Sequence, residues 1–212
     1  MKDIDAIFLD FDGVLADSVE VKTRAFAKLF ERYGPAIEAK VVEHHRNNGG
    51  MTRVDKFRHY YREFLGKQLD KAELQQLCND FSRLVVDEVV SAPEIPGAEN
   101  FLKKWYNIVK CFVVSATPDD EIKEIVKRRG IDIYFHEILG SSCSKSDNII
   151  YLLNKYELAP KQCLFFGDAE SDYWAANASG VDFIGILLNK NAPLLQIAPD
   201  IRWARDFIDL VI

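Results

Sequence analysis

No stretch of this 212-residue chain reaches the roughly 20 consecutive apolar residues of a membrane helix, so a helical span is excluded. No basic tract is present and the net charge is −6, which disfavours a nucleic-acid binder that draws its affinity from phosphate contacts. The four cysteines, Cys78, Cys111, Cys143 and Cys163, are dispersed, with no CxxC pair and no histidine at metal-ligand spacing. That pattern argues against disulfides or zinc and reads as buried free thiols in a reducing compartment. The start, Met-Lys-Asp-Ile-Asp, carries no signal-peptide apolar region and leads directly into the first expected strand, so the cytoplasm is the default location. Internal repeats and low-complexity linkers are lacking. The length allows one domain, or a domain with a modest insertion, and an apolar share of 48% supplies a sizeable core.

What is present begins with an apolar run over residues 4–9 that ends in Asp10-Phe11-Asp12-Gly13. A short apolar run closed by acid and glycine reads as a buried strand emptying into a tight turn. Two carboxylates one residue apart repel unless a positive charge sits between them. Two readings stand at this point: an acidic turn without chemistry, or a site for a hard divalent cation such as Mg²⁺, which takes one or two carboxylates plus substrate phosphate.

Further along, Ala25, Phe26, Leu29, Phe30 and Tyr33 fall at helical spacing, and Gly34-Pro35 stops the pattern. A second helix is expected over about 36–46, followed by a polar loop through Gly49-Gly50-Met51-Thr52-Arg53. Val54, Phe57, Tyr60, Tyr61 and Phe64 resume the helical period, and Asp70-Lys71-Ala72-Glu73 is a capping box opening a long helix. Residues 17–92 therefore read as wholly helical. Pro93 and Pro96 then punctuate the chain. Beyond them strands and helices alternate: strands at about 109–115, 137–140, 162–168 and 183–188, and helices at about 97–107, 117–129, 146–157 and 170–179. Thr117-Pro118 is read as the cap of one helix, and Phe183 opens the last strand. Alternation of this kind argues for a parallel sheet flanked by helices, a Rossmann-like α/β fold, with a helical block spliced in after the first strand.

In an open parallel sheet the ligand crevice lies outside the carboxyl ends of the strands. Asp10 and Asp12 land there, as do Ser115, Lys145 before a helix, and Asp168 with Asp172 four residues on. A serine ending a strand usually caps, a lone lysine is usually solvated, and an acid after a strand often caps the next helix; their joint recurrence in this order is hard to obtain by chance.

On these residues the chain resembles the haloacid dehalogenase-like (HAD) superfamily. The first motif stands as Asp10-Phe11-Asp12-Gly13-Val14-Leu15, the second as Ser115-Ala116-Thr117, the third as Lys145, and the fourth as Gly167-Asp168-Ala169-Glu170-Ser171-Asp172. The resemblance covers essentially the whole chain and implies a discontinuous HAD-like core, residues 1–16 and 93–212, with a helical cap over 17–92. It implies Asp10 as nucleophile forming an aspartyl-phosphate and Asp12 as general acid and base. Mg²⁺ would be held by a carboxylate oxygen of Asp10, the backbone carbonyl of Asp12, and Asp168, with Asp172 orienting nearby groups. Ser115 and the Ala116 amide would hold phosphoryl oxygens, and Lys145 would neutralise charge between the phosphoryl group and Asp10. The expected hinges are Ala16-Asp17-Ser18 and the proline-bearing residues 92–97.

An acid at the second position of the first motif favours phosphoester chemistry over the dehalogenases and phosphonatases of the superfamily. The expected activity is a Mg²⁺-dependent phosphatase acting on a small phosphorylated metabolite, with no nucleic acid, membrane or obligate protein partner. A β-phosphoglucomutase-type phosphomutase is the alternative, and a non-catalytic binding protein a weaker one. Gly50 and Arg53 align with the cap loop of β-phosphoglucomutase; Arg53 either grips an anionic or hydroxylated part of the substrate or is an exposed arginine near a helix start. Lys22 stands where the mutase has a histidine, which favours hydrolysis. It either reaches into the crevice or is a solvated helix charge, the second being favoured. His44 and His45 read as a surface pair, His59 and His136 as unpartnered, and Trp105, Trp174 and Trp203 as core.

Overall fold

The computed structural model describes residues 4–208, 210 and 212; the N-terminal tripeptide, read above as leading into the first strand, lies outside them. Five strands run β1 (Ala6–Leu9), β2 (Lys110–Val114), β3 (Glu137–Leu139), β4 (Cys163–Gly167) and β5 (Asp182–Ile186), and a sixth, β6, is only Trp203–Ala204. All pair parallel in the order β3-β2-β1-β4-β5-β6. The strand expected to be last is followed by β6, whose two residues are too short for any periodicity to announce.

Parallel strands covered on both faces carry apolar side chains at every position, and β1 reads Ala-Ile-Phe-Leu, each fully buried. Alternation along the strand sends Ile7 and Leu9 to one face, with Val113 and Phe166, and Ala6 and Phe8 to the other, with Phe112 and Phe165. The register pairs Leu9 with Val113 on one side and Phe166 on the other. The residues that follow, Asp10, Ser115 and Asp168, therefore leave the sheet along one edge.

Between β1 and β2 lie α1 (Val19–Phe30), α2 (Pro35–Asn47), α3 (Arg53–His59), α4 (Lys71–Ser91) and α5 (Ala98–Trp105). The capping box of Asp70 and Glu73 opens α4 as expected. Continuing from α3, residues Tyr60–Phe64 form a π-helical turn. Phe26 is the hub of the block: its ring lies 4.4 Å from Phe81, 5.5 Å from Phe57 and 5.8 Å from Tyr60. The two chain connections to the sheet run side by side, tied by Asp17 N–H to Pro93 O at 2.9 Å and Ile95 N–H to Leu15 O at 3.2 Å. Arg129 donates to the carbonyls of Val89, Val90 and Ala92, covering the open C-terminus of α4.

After β2 come α6 (Asp119–Arg128), α7 (Lys145–Lys155), α8 (Glu170–Ser179) and the short α9 (Leu194–Ile197). Several sequence expectations are corrected here. Thr117 does not cap α6; Pro118 holds that position and the threonine side chain turns elsewhere. Trp174 and Trp203 are exposed, and Cys143 is an exposed thiol, whereas Cys111 and Cys163 are buried. His59 stacks on His44, ring centroids 4.2 Å apart, and His136 Nδ1 accepts the Cys111 N–H at 3.3 Å. Among the described residues no helix is long and apolar enough to cross a membrane.

Phe26→Ala removes the hub ring and should destabilise the protein by about 3–5 kcal/mol, read as a lower urea midpoint at unchanged slope. A loss below about 1 kcal/mol would show that the block does not depend on this ring.

Candidate active site

The turn after β1 sets the site. Gly13 has φ +78°, and a Cβ there would stand 2.3 Å from Asp168 Oδ2, so only glycine allows the turn to pass this close to the end of β4. Phe11 N–H donates to Asp10 Oδ1 at 2.7 Å, fixing the carboxylate as it leaves the strand. Lys145, the first residue of α7, bridges Asp10 Oδ2 at 2.8 Å and Asp172 Oδ1 at 2.5 Å. Asp172 also accepts the Asp168 and Ala169 N–H groups at 3.2 and 3.0 Å, so it braces the loop that presents Asp168.

One oxygen each from Asp10, Asp168 and Asp172 falls within 4.8 Å of the others. Burial pushes Asp10 up to about 7; Lys145 pulls it down, and Asp172 and Asp12 push it up again. Burial also lifts Asp168 well above the carboxylate range, helped by Asp172 and Asp10. Three carboxylates, Asp10 and Asp172 buried and Asp168 half-buried, against one ammonium leave negative charge uncompensated, and an all-oxygen donor set fits a hard divalent cation.

Asp12 points away from this cluster. Its carboxylate accepts from Ser18 Oγ at 2.6 Å, Thr117 Oγ1 at 3.3 Å and Lys22 Nζ. Burial works to raise its carboxyl, but the Lys22 charge and the hydrogen bonds outweigh burial and hold it below the ordinary value. Its side chain lies outside the group of three carboxylates; the metal contact expected of Asp12 is through its backbone carbonyl, not this side chain. Lys22 is no solvated charge: it lies in the crevice on Asp12 and on Thr117 Oγ1, at 2.8 Å from the latter.

Ser115, 1% exposed, accepts the Thr117 N–H on its hydroxyl at 3.1 Å, which orients the turn at Ala116. Ser115, Ala116 and Lys145 open onto a groove shared with Gly50, Met51 and the exposed Trp174. Gly50 packs on the start of α8, where a Cβ would meet Ser171 Oγ at 1.6 Å, and does not line the inner pocket. The inner pocket is lined by Asp10, Asp12, Asp168 and Ala116 on the sheet side and Lys22, His45, Arg53 and Lys56 on the helical side.

Arg53 is not exposed. Its guanidinium is 7% accessible, forms a fork on both Glu121 oxygens, donates to Ser82 Oγ at 2.6 Å, and lies 4.6 Å over the Phe81 ring. Nor is His45 on the surface: it is buried, packs 4.9 Å from Phe26, and its Nδ1 lies 2.8 Å from Lys56 Nζ. Burial, then Lys56 and Lys22, push His45 down to about 3, so the ring is neutral. Burial, then Lys22, push Lys56 down to about 7 against the pull of Asp12 and Asp168. Sequence reasoning missed Lys56 and Glu121 altogether. Each sits on a helix rich in exposed charge, and nothing in its spacing marks it as buried.

Residues 4–180 match the family model for haloacid dehalogenase-like hydrolases. The chain belongs to this family. It is an enzyme, a hydrolase of the haloacid dehalogenase-like family. It is 27% identical to phosphoglycolate phosphatase of Mannheimia succiniciproducens, over 97% of this chain and 96% of that protein. Two solved structures show the same fold. A predicted phosphoglycolate phosphatase from Haemophilus somnus superposes with TM-score 0.77 at 24% identity, covering 99% of this chain and 97% of that one. A β-phosphoglucomutase from Clostridium difficile gives TM-score 0.79 at 21% identity, covering 99% and 94%. In this HAD-like hydrolase the sheet order, with β1 central, carries the acidic motifs at its carboxyl edge.

The raised carboxyls have a sign. An acid whose folded value lies above its unfolded one binds more protons when folded. Asp10, ordinarily at 3.8 and here about 7, therefore stabilises fully below about pH 4 and loses that contribution as pH rises toward 7; Asp168 acts the same way. Asp12, held low, contributes above its unfolded value and loses this as pH falls through its folded one. In chelator, the urea midpoint should decline from about pH 4.5 to about pH 7. Asp10→Asn should flatten the decline, and a divalent cation at neutral pH should reverse it. A decline equally steep in Asp10→Asn would count against this charge balance.

Proposed function

We propose that the protein is a Mg²⁺-dependent phosphatase of small phosphorylated metabolites, working through an aspartyl-phosphate on Asp10. The observation that carries this reading is the meeting of Asp10, Asp168 and Asp172 oxygens within 4.8 Å, with Lys145 on Asp10 and the acid Asp12 beside them. Asp10 and Asp168 would hold Mg²⁺, with the Asp12 carbonyl, and Asp172 would keep the Asp168 loop in place. When bound, Mg²⁺ supplies positive charge to the phosphoryl oxygens and holds the Asp10 carboxyl ionised.

A carboxylate oxygen of Asp10 attacks phosphorus as the bond to the leaving oxygen breaks. Asp12 gives that oxygen a proton, then takes one from the water that attacks the phospho-Asp10 and frees inorganic phosphate. In the arrangement observed, Asp12 is the ionised partner of Lys22, the form the second half-reaction needs. Ser115 Oγ and the Ala116 amide bind phosphoryl oxygens, and Lys145 screens them from Asp10.

Residues 17–92 act as a cap on a core of 1–16 and 93–212, turning about the paired connections at Asp17 and Pro93. Closure excludes bulk water while Asp10 reacts. Hydrolysis is favoured over mutase chemistry because Lys22, not histidine, occupies the position against Asp12 and neutralises it. The phosphoglycolate phosphatase relative puts short phosphorylated acids among the compounds to try.

Phosphate release should be assayed over sugar phosphates, phosphoglycolate, nucleoside monophosphates and an aryl phosphate, with and without Mg²⁺. Release that needs the metal and falls more than about 10³-fold in Asp10→Asn is the expected result. No release from any compound by folded protein, with turnover appearing only as isomerisation under a bisphosphate activator, would replace hydrolysis by the mutase reaction.

A further inference from the structure

Three cations of the helical block line the inner pocket, Lys22, Arg53 and Lys56. Lys22 meets Asp12, Lys56 meets the neutral His45 Nδ1, and Arg53 meets Glu121. Arg53 is the first residue of α3, directly after the loop over 49–52. Glu121 lies in the first turn of α6, the helix that follows the turn at Ser115 and Ala116. Both Glu121 oxygens accept from the guanidinium, Oε2 at 2.9 Å. Ser82 of α4 sits between the partners, accepting from Arg53 Nη1 at 2.6 Å and donating to Glu121 Oε2 at 2.6 Å. Arg53 and Glu121 are both buried. Such a fork is charge-assisted and directional. It leaves Arg53 no net charge to offer, because an anion of the substrate would have to displace a buried carboxylate.

The tie from Lys22 differs. Its partner Asp12 is the acid and base of the proposed reaction, so the charge that holds Lys22 is lost whenever Asp12 carries a proton. Glu121 takes no part in that transfer. On the other side of the loop, Gly49 and Gly50 lie so close to α8 that a Cβ would stand 3.7 Å from Ala169 Cβ and 1.6 Å from Ser171 Oγ. The loop thus has close glycine contact toward α8 and a charged fork toward α6.

The geometry points to Glu121 as a positioning residue: it supplies from within the protein the anion that holds Arg53, and through Arg53 it keeps the helical block closed over the turn at Ser115 and Ala116 while Asp12 exchanges its proton. Arg53 serves closure and not substrate recognition. This rests on the phosphatase and cap reading above and names what holds that site shut.

The test reads turnover of p-nitrophenyl phosphate with Mg²⁺ and, separately, amide hydrogen exchange over residues 49–53 in protein without substrate. The double variant Arg53→Met, Glu121→Leu replaces the buried pair by apolar side chains, a change that commonly leaves stability intact. At an unchanged urea midpoint it should speed exchange over 49–53 by about tenfold or more and lower kcat/KM by about tenfold or more, with kcat falling more than KM rises. Glu121→Ala should show the same loss, and acetate, unlike chloride at equal ionic strength, should restore at least about threefold by taking the place of the missing carboxylate. Glu121→Asp, which keeps the charge, should lie nearer wild type. Exchange and turnover both unchanged in the double variant would overturn the assignment and leave the phosphatase reading standing. A loss confined to KM would overturn it as well, since that is the mark of an arginine that binds substrate. Exchange that speeds as expected, in a protein whose wild type releases no phosphate, would keep Glu121 as the clasp and remove the phosphatase reading alone.

Discussion

Asp10, Asp168 and Asp172 are forced together because β1 and β4 are neighbours that stop in register, and Lys145 is what makes that convergence tolerable. Its ammonium bridges Asp10 and Asp172 where all three groups are almost dry. Removing one partner of such a cluster leaves charge buried without compensation, which costs several kcal/mol. The start of α7 must therefore come to lie over the end of β1, and the Gly13 turn must let Asp168 approach. The charge that Lys145 does not cancel is the physical basis for a cation at this edge of the sheet.

The seam between the helical block and the sheet is ionic as well. Lys22 reaches Asp12 from α1, and Arg53 reaches Glu121 from α3, each pair sheltered from water. Oil-like contacts alone would let the block slide, because apolar burial has no direction. A guanidinium fork on a carboxylate is directional and sets the register of one body on the other. Phe26 links the seam to the interior of the block, since the same ring packs against Phe81, Phe57 and His45.

Much of the sheet was legible beforehand. The runs ending in Asp10, Ser115 and Asp168 are short, apolar and closed by polar residues, so their strands and the edge they share followed from pattern. Asp12 followed from the same run as Asp10, whereas Lys145 and Asp172 were legible only through the order of the four motifs. The helical side was read poorly. Lys22 was taken for a solvated charge and Arg53 for a possible exposed one, His45 was placed on the surface, and Lys56 and Glu121 went unnoticed. All five lie on amphipathic helices, where spacing reports which face is apolar but not what a charged residue at the margin of that face will meet.

The amino-acid sequence by itself determined the parallel sheet, the helical insertion, and the acids at the strand ends, because these depend on local periodicity and on short turns that glycine and aspartate permit. Only the tertiary structure decided which cations would be matched and which left open. That choice depends on distances between helices far apart in the chain, such as Lys22 from Thr117 and Arg53 from Glu121. Burial then turns those distances into charge, pressing Lys56 and His45 toward their neutral forms and Asp10 toward its protonated one. A charged side chain has the same letter in water and in the core, and its environment, which no local pattern encodes, decides what it does.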